Sequence, residues 1–386
     1  MVPALGGLAV LGGPLAGRAA AVSGGRVAAG PIVKPLPPEV FISHGTNAET
    51  RWEALREVGF RVPNERFFVR NHTATPLIDA ATWRLRVHGS GVRRPGEFGY
   101  AELRSMPSVS LDAAIECAGN GRSFYGTQQG QQAEGTPWRL GGIGVARWRG
   151  VPLGAVLRRA GLSGRAVEIM PSGLDADFVS GGQNLGHVRR PLPIAKALDD
   201  VLLAYEMNGE PLPPDHGFPV RVVVPSWIGI ASIKWVGDIE VSAEPLVSPW
   251  NTQFYRFFGP GYPPEGSEPL ATQVTKSAFE LAWEQAVPAG GTYTLRGRSW
   301  SGRGRITRVE VSTDGGARWR PARLLDDDRG TAWTRWRTTW AEPRPGRHEL
   351  LARATDETGA VQPARTPFNT FGYLFGAVVA HPVRVA

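Results

Sequence analysis

A single cysteine in 386 residues, Cys117, removes whole classes of chemistry at the outset. An internal disulfide framework needs a pair, and a four-thiolate zinc site, an iron–sulfur cluster or a CxxCH haem attachment each needs more than one thiol. Lysine is almost as scarce. Lys34, Lys196, Lys234 and Lys276 stand alone among 43 basic residues, so the formal net charge of +8 is carried by arginine. Those arginines are scattered, without the block or aromatic-interleaved stripe of a nucleic-acid binder, and nucleic acid is not expected as a partner. Charge is also missing from the start of the chain. MVPALGGLAVLGGPLAGRAAAVSGG carries none before Arg18 and resembles a signal-peptide core, but it lacks the positive segment that precedes such a core. Its Gly and Pro content argues against a spanning helix. Two readings stay open: the end of an export signal, which would place the protein in a periplasmic or other extracytoplasmic compartment, and a flexible tail on a cytoplasmic protein.

What is present is enough apolar residue, 42%, to bury two cores. Up to about residue 243 helical and strand patterns alternate. NAETRWEALREVG reads as a helix, with Asn47 as N-cap, Trp52 and Leu55 spaced by three, and Gly59 as the stop. VPLGAVLRRAGL puts Leu153, Val156, Leu157 and Ala160 on one helical face, while VRVVVPS (220–226) and IASIKWVGDIEVS (230–242) read as strands. The Pro/Gly-rich FFGPGYPPEGSEP (257–269) marks a linker, and beyond it only strands are expected. ITRVEVSTDGG and ELLARATDETG alternate apolar and polar residues before turn signals, a pattern that suggests a β-sandwich of immunoglobulin type. The expected division is a tail (1–34), an α+β domain (35–243), a linker (244–270) and an all-β domain (271–386).

Three stretches carry candidate chemistry. In IECAGNGRSFYG the lone Cys117 can be a buried filler, a nucleophile served by a distant His72 or His216, or a metal ligand whose thiolate Arg122 favours electrostatically. RFFVRNHT crowds Arg70, Asn71 and His72 at a strand end. DHGFPVRVVVPSWIGIASIKW sets His216, Arg221 and Lys234 around apolar runs, a plausible anion pocket.

Taken together and in this order, FVRNH, CAGN and HGFPVRVVVP with a following lysine resemble the molybdenum domain of the sulfite oxidase family. The resemblance runs from about residue 64 to 255, and VEVSTDGGARW and VQPARTP resemble that family's dimerisation domain. It implies a sulfite-oxidase-type α+β domain followed by an immunoglobulin-like dimerisation domain, a Mo-molybdopterin cofactor with one molybdenum and one pterin, no haem in the chain, and a homodimer. Residue by residue it makes Cys117 the molybdenum ligand. Phe68, Val69, Arg70, Asn71, His72, Asp175, His216, Arg221, Ser232, Ile233 and Lys234 become pterin and phosphate contacts. Arg70, Arg122, Trp138 and Tyr255 become the substrate pocket, with Tyr255 carried on the linker. The implied reaction is oxygen-atom transfer, sulfite to sulfate, on a small oxyanion, with electrons passed to an external acceptor such as a cytochrome. Two departures loosen the substrate assignment: Phe371 stands where the family pattern has an arginine, and Gly121 replaces another. A nitrate or sulfoxide reductase on the same fold is the alternative, and a non-catalytic binding protein retaining the fold is the alternative of another class.

Overall fold

The computed structural model describes residues 30–326 and 330–386. The apolar N-terminal stretch, with its two readings as signal or tail, lies outside the described residues up to residue 29. Residues 31–34, grouped with that tail by the sequence, belong instead to the first domain. Ile32 is buried, and the Val33 and Lys34 amides donate to the Asp215 carboxylate at 2.9 and 2.8 Å.

Two five-stranded layers organise the first domain. One runs Leu192–Pro193, Glu168–Gly173, Val236–Ser242, Arg84–His88, Gly96–Gly99. Its central strand, Val236–Ser242, is antiparallel to one neighbour and parallel to the other. The second runs Glu210–Pro211, Leu202–Met207, Ile143–Pro152, Val109–Glu116, with Arg221–Val223 also paired to Leu202–Met207. Continuous apolar stretches such as Leu202–Tyr205 are buried because both faces of these strands are covered. The helix Leu153–Arg159 forms as its spacing predicts, burying Leu153, Val156 and Leu157.

The predicted helix at NAETRWEALREVG does not form. Asn47–Thr50 is a strand, antiparallel to Phe41–His44 and to Val69–Arg70, and only Trp52–Leu55 winds, as a single 3-10 turn. Tertiary demand decides it: the Glu49 carboxylate is 1% exposed and accepts the backbone N–H groups of Arg139 and Gly141, which requires extended chain there. The Trp52/Leu55 spacing survives because a 3-10 turn also repeats every three residues. The strand expected over 230–242 begins only at Val236, because residues 230–235 turn aside, with Trp235 at φ 51°, to line a cavity.

Beyond residue 270 the described residues contain strands and no α-helix. Four strands, Lys276–Phe279, Thr292–Trp300, Trp333–Ala341 and Arg323–Leu324, face five, Gln285–Val287, His381–Val385, Gly346–Asp356, Ile306–Ser312 and Arg320–Pro321. Leu295 and Trp336 of the first sheet share one core with Val309 and Leu350 of the second. The domains are joined by apolar packing as well as by the chain: Trp52 stacks on Trp300 at 6.0 Å, within a cluster that also holds Cys117, Trp148, Trp333 and Phe375. Across the same seam Lys276 reaches Glu116 at 2.7 Å, both side chains at most 2% exposed.

Candidate active site

Cys117 follows the end of strand Val109–Glu116, where the pairing with Ile143–Pro152 stops and the chain turns through Gly119 and Gly121. The turn is tied on every side. Cys117 N–H donates to Gly142 O at 2.9 Å, its carbonyl accepts Asn120 N–H at 2.9 Å, and the Asn120 side chain binds Glu116 and Gly142 N–H. Gly142 suits this closeness, since a Cβ there would stand 3.1 Å from Trp138 and Asn120 and 3.5 Å from Cys117 Cβ. Lys276 completes the brace by donating to Glu116 and to Asn120 O, each at 2.7 Å.

Two cavities meet at this thiol. The first, about 710 Å³, is lined by Phe68, Asn71, Asp175, His216, Arg221 and Lys234, among others. The second, about 770 Å³, is lined by Arg122, Trp138, Phe178, Phe254, Phe371 and Tyr373, among others. Arg70, His72, Cys117 and Tyr255 belong to both.

The first cavity is cationic, and its cations are held by backbone rather than by carboxylates. Arg221 donates to His216 O at 3.1 Å and Ser232 O at 2.9 Å, over the Trp148 ring at 5.0 Å. Lys234 donates to Asn71 Oδ1 and, at 2.8 Å, to Asp215 O. Lys34, behind His216, donates to Phe67 O and to Asn64 O at 3.3 Å. Carbonyls orient these groups but leave their charge uncancelled, so burial depresses them: Arg221 falls to about 9, Lys34 to about 7, and Lys234 well below its usual value. An anion entering here restores the charged forms. Burial likewise keeps His216 and His72 neutral, and His72 accepts the Trp250 indole N–H at 3.0 Å on Nε2. Ser232 Oγ accepts Val224 N–H, fixing the loop that carries Ile233. Val69 is packed into a small apolar cluster behind Arg70 rather than lining the cavity.

Two buried polar atoms are left over. Arg70 Nη1 and Asp175 Oδ1 have no hydrogen-bond partner among the described residues. Burial raises the Asp175 carboxyl to about 6. Buried polar groups without partners are uncommon, and here both sit on cavity walls, one donor and one acceptor, as a heterocyclic anion needs. Among the described residues no group of three or more His, Cys, Asp or Glu could hold a metal, and Cys117 is the one sulfur on the lining of the two cavities. This donor set fits a metal that brings its other ligands with it.

The second cavity joins segments distant in sequence. Arg122, in the turn after Cys117, is seated by Phe371 O at 2.6 Å and Thr136 O at 2.8 Å. Glycines make room for its guanidinium: a Cβ on Gly119 would fall 2.6 Å from it and one on Gly135 3.0 Å. Tyr255 sits at φ 56°, a left-handed backbone rarely adopted by a tyrosine, stacked on Tyr373 at 5.0 Å with Arg70 Nη2 3.5 Å from its hydroxyl. Burial, partly opposed by Arg70, raises the Tyr255 phenol, so it remains a donor. For Arg70 burial works against the charge, but Tyr255, Cys117 and Tyr373 outweigh it and hold the guanidinium above the usual arginine value.

Sequence reading missed several of these groups. Arg190, 2% exposed, donates to Trp250 O and to Leu270 O, the latter at 2.7 Å, and lies over the Tyr255 ring at 5.8 Å. It clamps both flanks of the segment bearing Tyr255, and its position between apolar neighbours gave no motif. Phe178, Phe254 and Tyr373 were missed because nothing local marks an aromatic as a cavity wall. Lys34 had one signal, the rarity of lysine.

Comparison with known proteins follows this geometry. The sequence matches the family described as "Oxidoreductase molybdopterin binding domain" over residues 72–250, and "Mo-co oxidoreductase dimerisation domain" over 273–382. It is 39% identical to sulfite oxidase of Gallus gallus, over 82% of this chain and 71% of that protein. It is 33% identical to a nitrate reductase [NAD(P)H] of Hordeum vulgare, over 86% of this chain and 40% of that protein. In solved structures it resembles the sulfane dehydrogenase SoxCD from Paracoccus pantotrophus, with a TM-score of 0.75, 30% identity, and coverage of 89% of this chain and 84% of that one. Fold and site therefore define a molybdopterin-dependent oxidoreductase. The chain belongs to the sulfite oxidase family.

Proposed function

We propose that this protein oxidises sulfite to sulfate by oxygen-atom transfer, with Mo-molybdopterin in the first cavity, the anion in the second, and electrons leaving to an external acceptor. The observation that carries this reading is the meeting of the two cavities at Cys117, beside Arg70 and Tyr255. Cys117 would ligate molybdenum. Asp175 Oδ1 would take N–H groups of the pterin, and Arg221, Lys234 and His216, with Asn71 and Ser232, would hold the pterin and its phosphate, Phe68 packing against the ring system. When bound, the group supplies the oxygen atom that is transferred and takes up two electrons.

The chain's own part is to bind and orient the anion. Arg70, through its unpartnered Nη1, and Arg122 stabilise the substrate charge, while the protonated Tyr255 hydroxyl donates to a substrate oxygen and Trp138 closes the wall nearest Gly142. A nitrate or sulfoxide reductase is the second reading, favoured by the aromatic Phe371 in the substrate wall. The β domain from about residue 271, read as an immunoglobulin-like sandwich, is proposed to mediate a symmetric homodimer, the commonest closed assembly.

The test is metal analysis with a substrate panel. Purified protein should carry about one molybdenum per chain and reduce an artificial acceptor with sulfite; Cys117→Ser, folded by circular dichroism, should lose that turnover, since a hydroxyl is a poor ligand at a soft site. A serine variant that retains metal and full turnover would overturn the ligand assignment.

A further inference from the structure

The second cavity holds more space than sulfite needs, and part of its wall is aromatic. Sulfite has four heavy atoms, whereas the space open to water-sized groups in this cavity is about 250 Å³, room for many more. One wall is an aromatic cluster: Phe371 lies 5.9 Å from Phe254 and 5.6 Å from Tyr373, is backed by Phe258 at 5.8 Å, and shares the lining with Phe178. All three phenylalanines lining the cavity are half-buried, so each keeps part of its ring exposed. The charged wall is modest. Arg70 and Arg122 are the cations, Arg122 already gives two N–H groups to backbone carbonyls, and the exposed Glu134 carboxylate sits on the same lining. A second negative charge on the substrate meets Glu134 and an aromatic face, neither of which stabilises it.

We infer that this site also oxidises organic sulfinates, R–SO2−, to sulfonates, with the R group on the Phe254–Phe371–Tyr373 wall and the sulfinate oxygens on Arg70 and Arg122. A sulfinate is sulfite with one O− replaced by carbon. It keeps the pyramidal sulfur and its lone pair, which forms the new S–O bond, and it loses one negative charge and gains an apolar arm, the exchange the cavity wall displays. The reaction balances as R–SO2− + H2O → R–SO3− + 2 H+ + 2 e−, the electrons going to a one-electron acceptor, two equivalents per turnover. This rests on the oxygen-transfer reading above.

The experiment uses the full chain loaded with its cofactor, ferricyanide as acceptor, and sulfite, methanesulfinate and benzenesulfinate as substrates. Benzenesulfinate should exceed methanesulfinate in kcat/KM by about tenfold, from burial of the ring. Phe371→Arg keeps the Phe371 carbonyl that seats Arg122 and should lower benzenesulfinate turnover while raising that of sulfite; Phe254→Ala should lower the ratio of benzenesulfinate to sulfite turnover. Calorimetry with the inert products gives a readout free of turnover: benzenesulfonate should bind tighter than sulfate, and the order should reverse in Phe371→Arg. Sulfite turnover without sulfinate turnover, or sulfate binding as tightly as benzenesulfonate, overturns this inference and leaves the sulfite reading intact. Sulfinate turnover without sulfite turnover does the opposite, and turnover of neither overturns both.

Discussion

The two cavities that meet at Cys117 are built on opposite plans. The first belongs almost wholly to one domain, and Arg221 and Lys234 on its lining are fixed by carbonyls 5 to 19 residues away in sequence, Arg221 by His216 and Ser232, and Lys234 by Asp215. The second is assembled from residues near 122, 136, 255 and 371, and its walls are aromatic. A site made by one domain keeps its chemistry when its neighbour changes. One shared between segments can be re-lined by a single substitution such as Phe371, without touching the groups around the cofactor cavity.

The strongest way to break this contrast is to attack the seam. Lys276→Met leaves Glu116 buried without its cation and should cost about 3–5 kcal/mol, measured as a loss of denaturant midpoint. Pairing it with Glu116→Gln should recover most of that loss. Next in size is Arg190. Arg190→Met frees the flanks of the Tyr255 segment and should lower kcat by up to about a hundredfold through misplacement. Molybdenum content should stay unchanged, and Arg190→Lys should restore part of the rate, which a general loss of stability would not show. A smaller effect is expected at Gly121. Its φ of 98°, with Phe375 3.1 Å from any Cβ, means Gly121→Arg cannot rebuild an anion pocket and should destabilise by about 1–3 kcal/mol in thermal melts.

The smallest effect separates the cavities by pH. Burial holds Lys34 near 7 against an ordinary 10.5, so the unfolded chain binds that proton more tightly than the folded one. The penalty is therefore fully present below pH 7 and is relieved as pH rises from about 7 toward 10, with Lys234 acting in the same direction. Cofactor-free protein should gain stability over that window by chemical denaturation. A phosphate bound in the first cavity faces Lys234 and should keep that ammonium charged, so loaded protein should show a flatter profile.

How far the sequence could be read follows the same division. Cys117, Arg70, His72, His216, Arg221 and Lys234 lie in short motifs whose chemistry is local, and the structure gathers them on one pair of cavities. Strand alternation in ITRVEVS and ELLARATD was equally plain, because period two needs only neighbours, and both lie in strands, Ile306–Ser312 and Gly346–Asp356. What escaped was long-range. Glu49 forces Asn47–Thr50 into a strand through amides at 139 and 141, and no window around residue 49 contains them. Arg190 works through carbonyls 60 and 80 residues away.

The Glu116–Lys276 contact also has a place in time. The two residues are 160 positions apart, so during synthesis the turn that presents Cys117 emerges long before its cation does. Until the strand Lys276–Phe279 docks, Glu116 and the Asn120 carbonyl lack the ammonium that ties them together in the finished fold. Docking of the second domain thus acts as a latch on the finished centre, closing last what the ribosome delivered first.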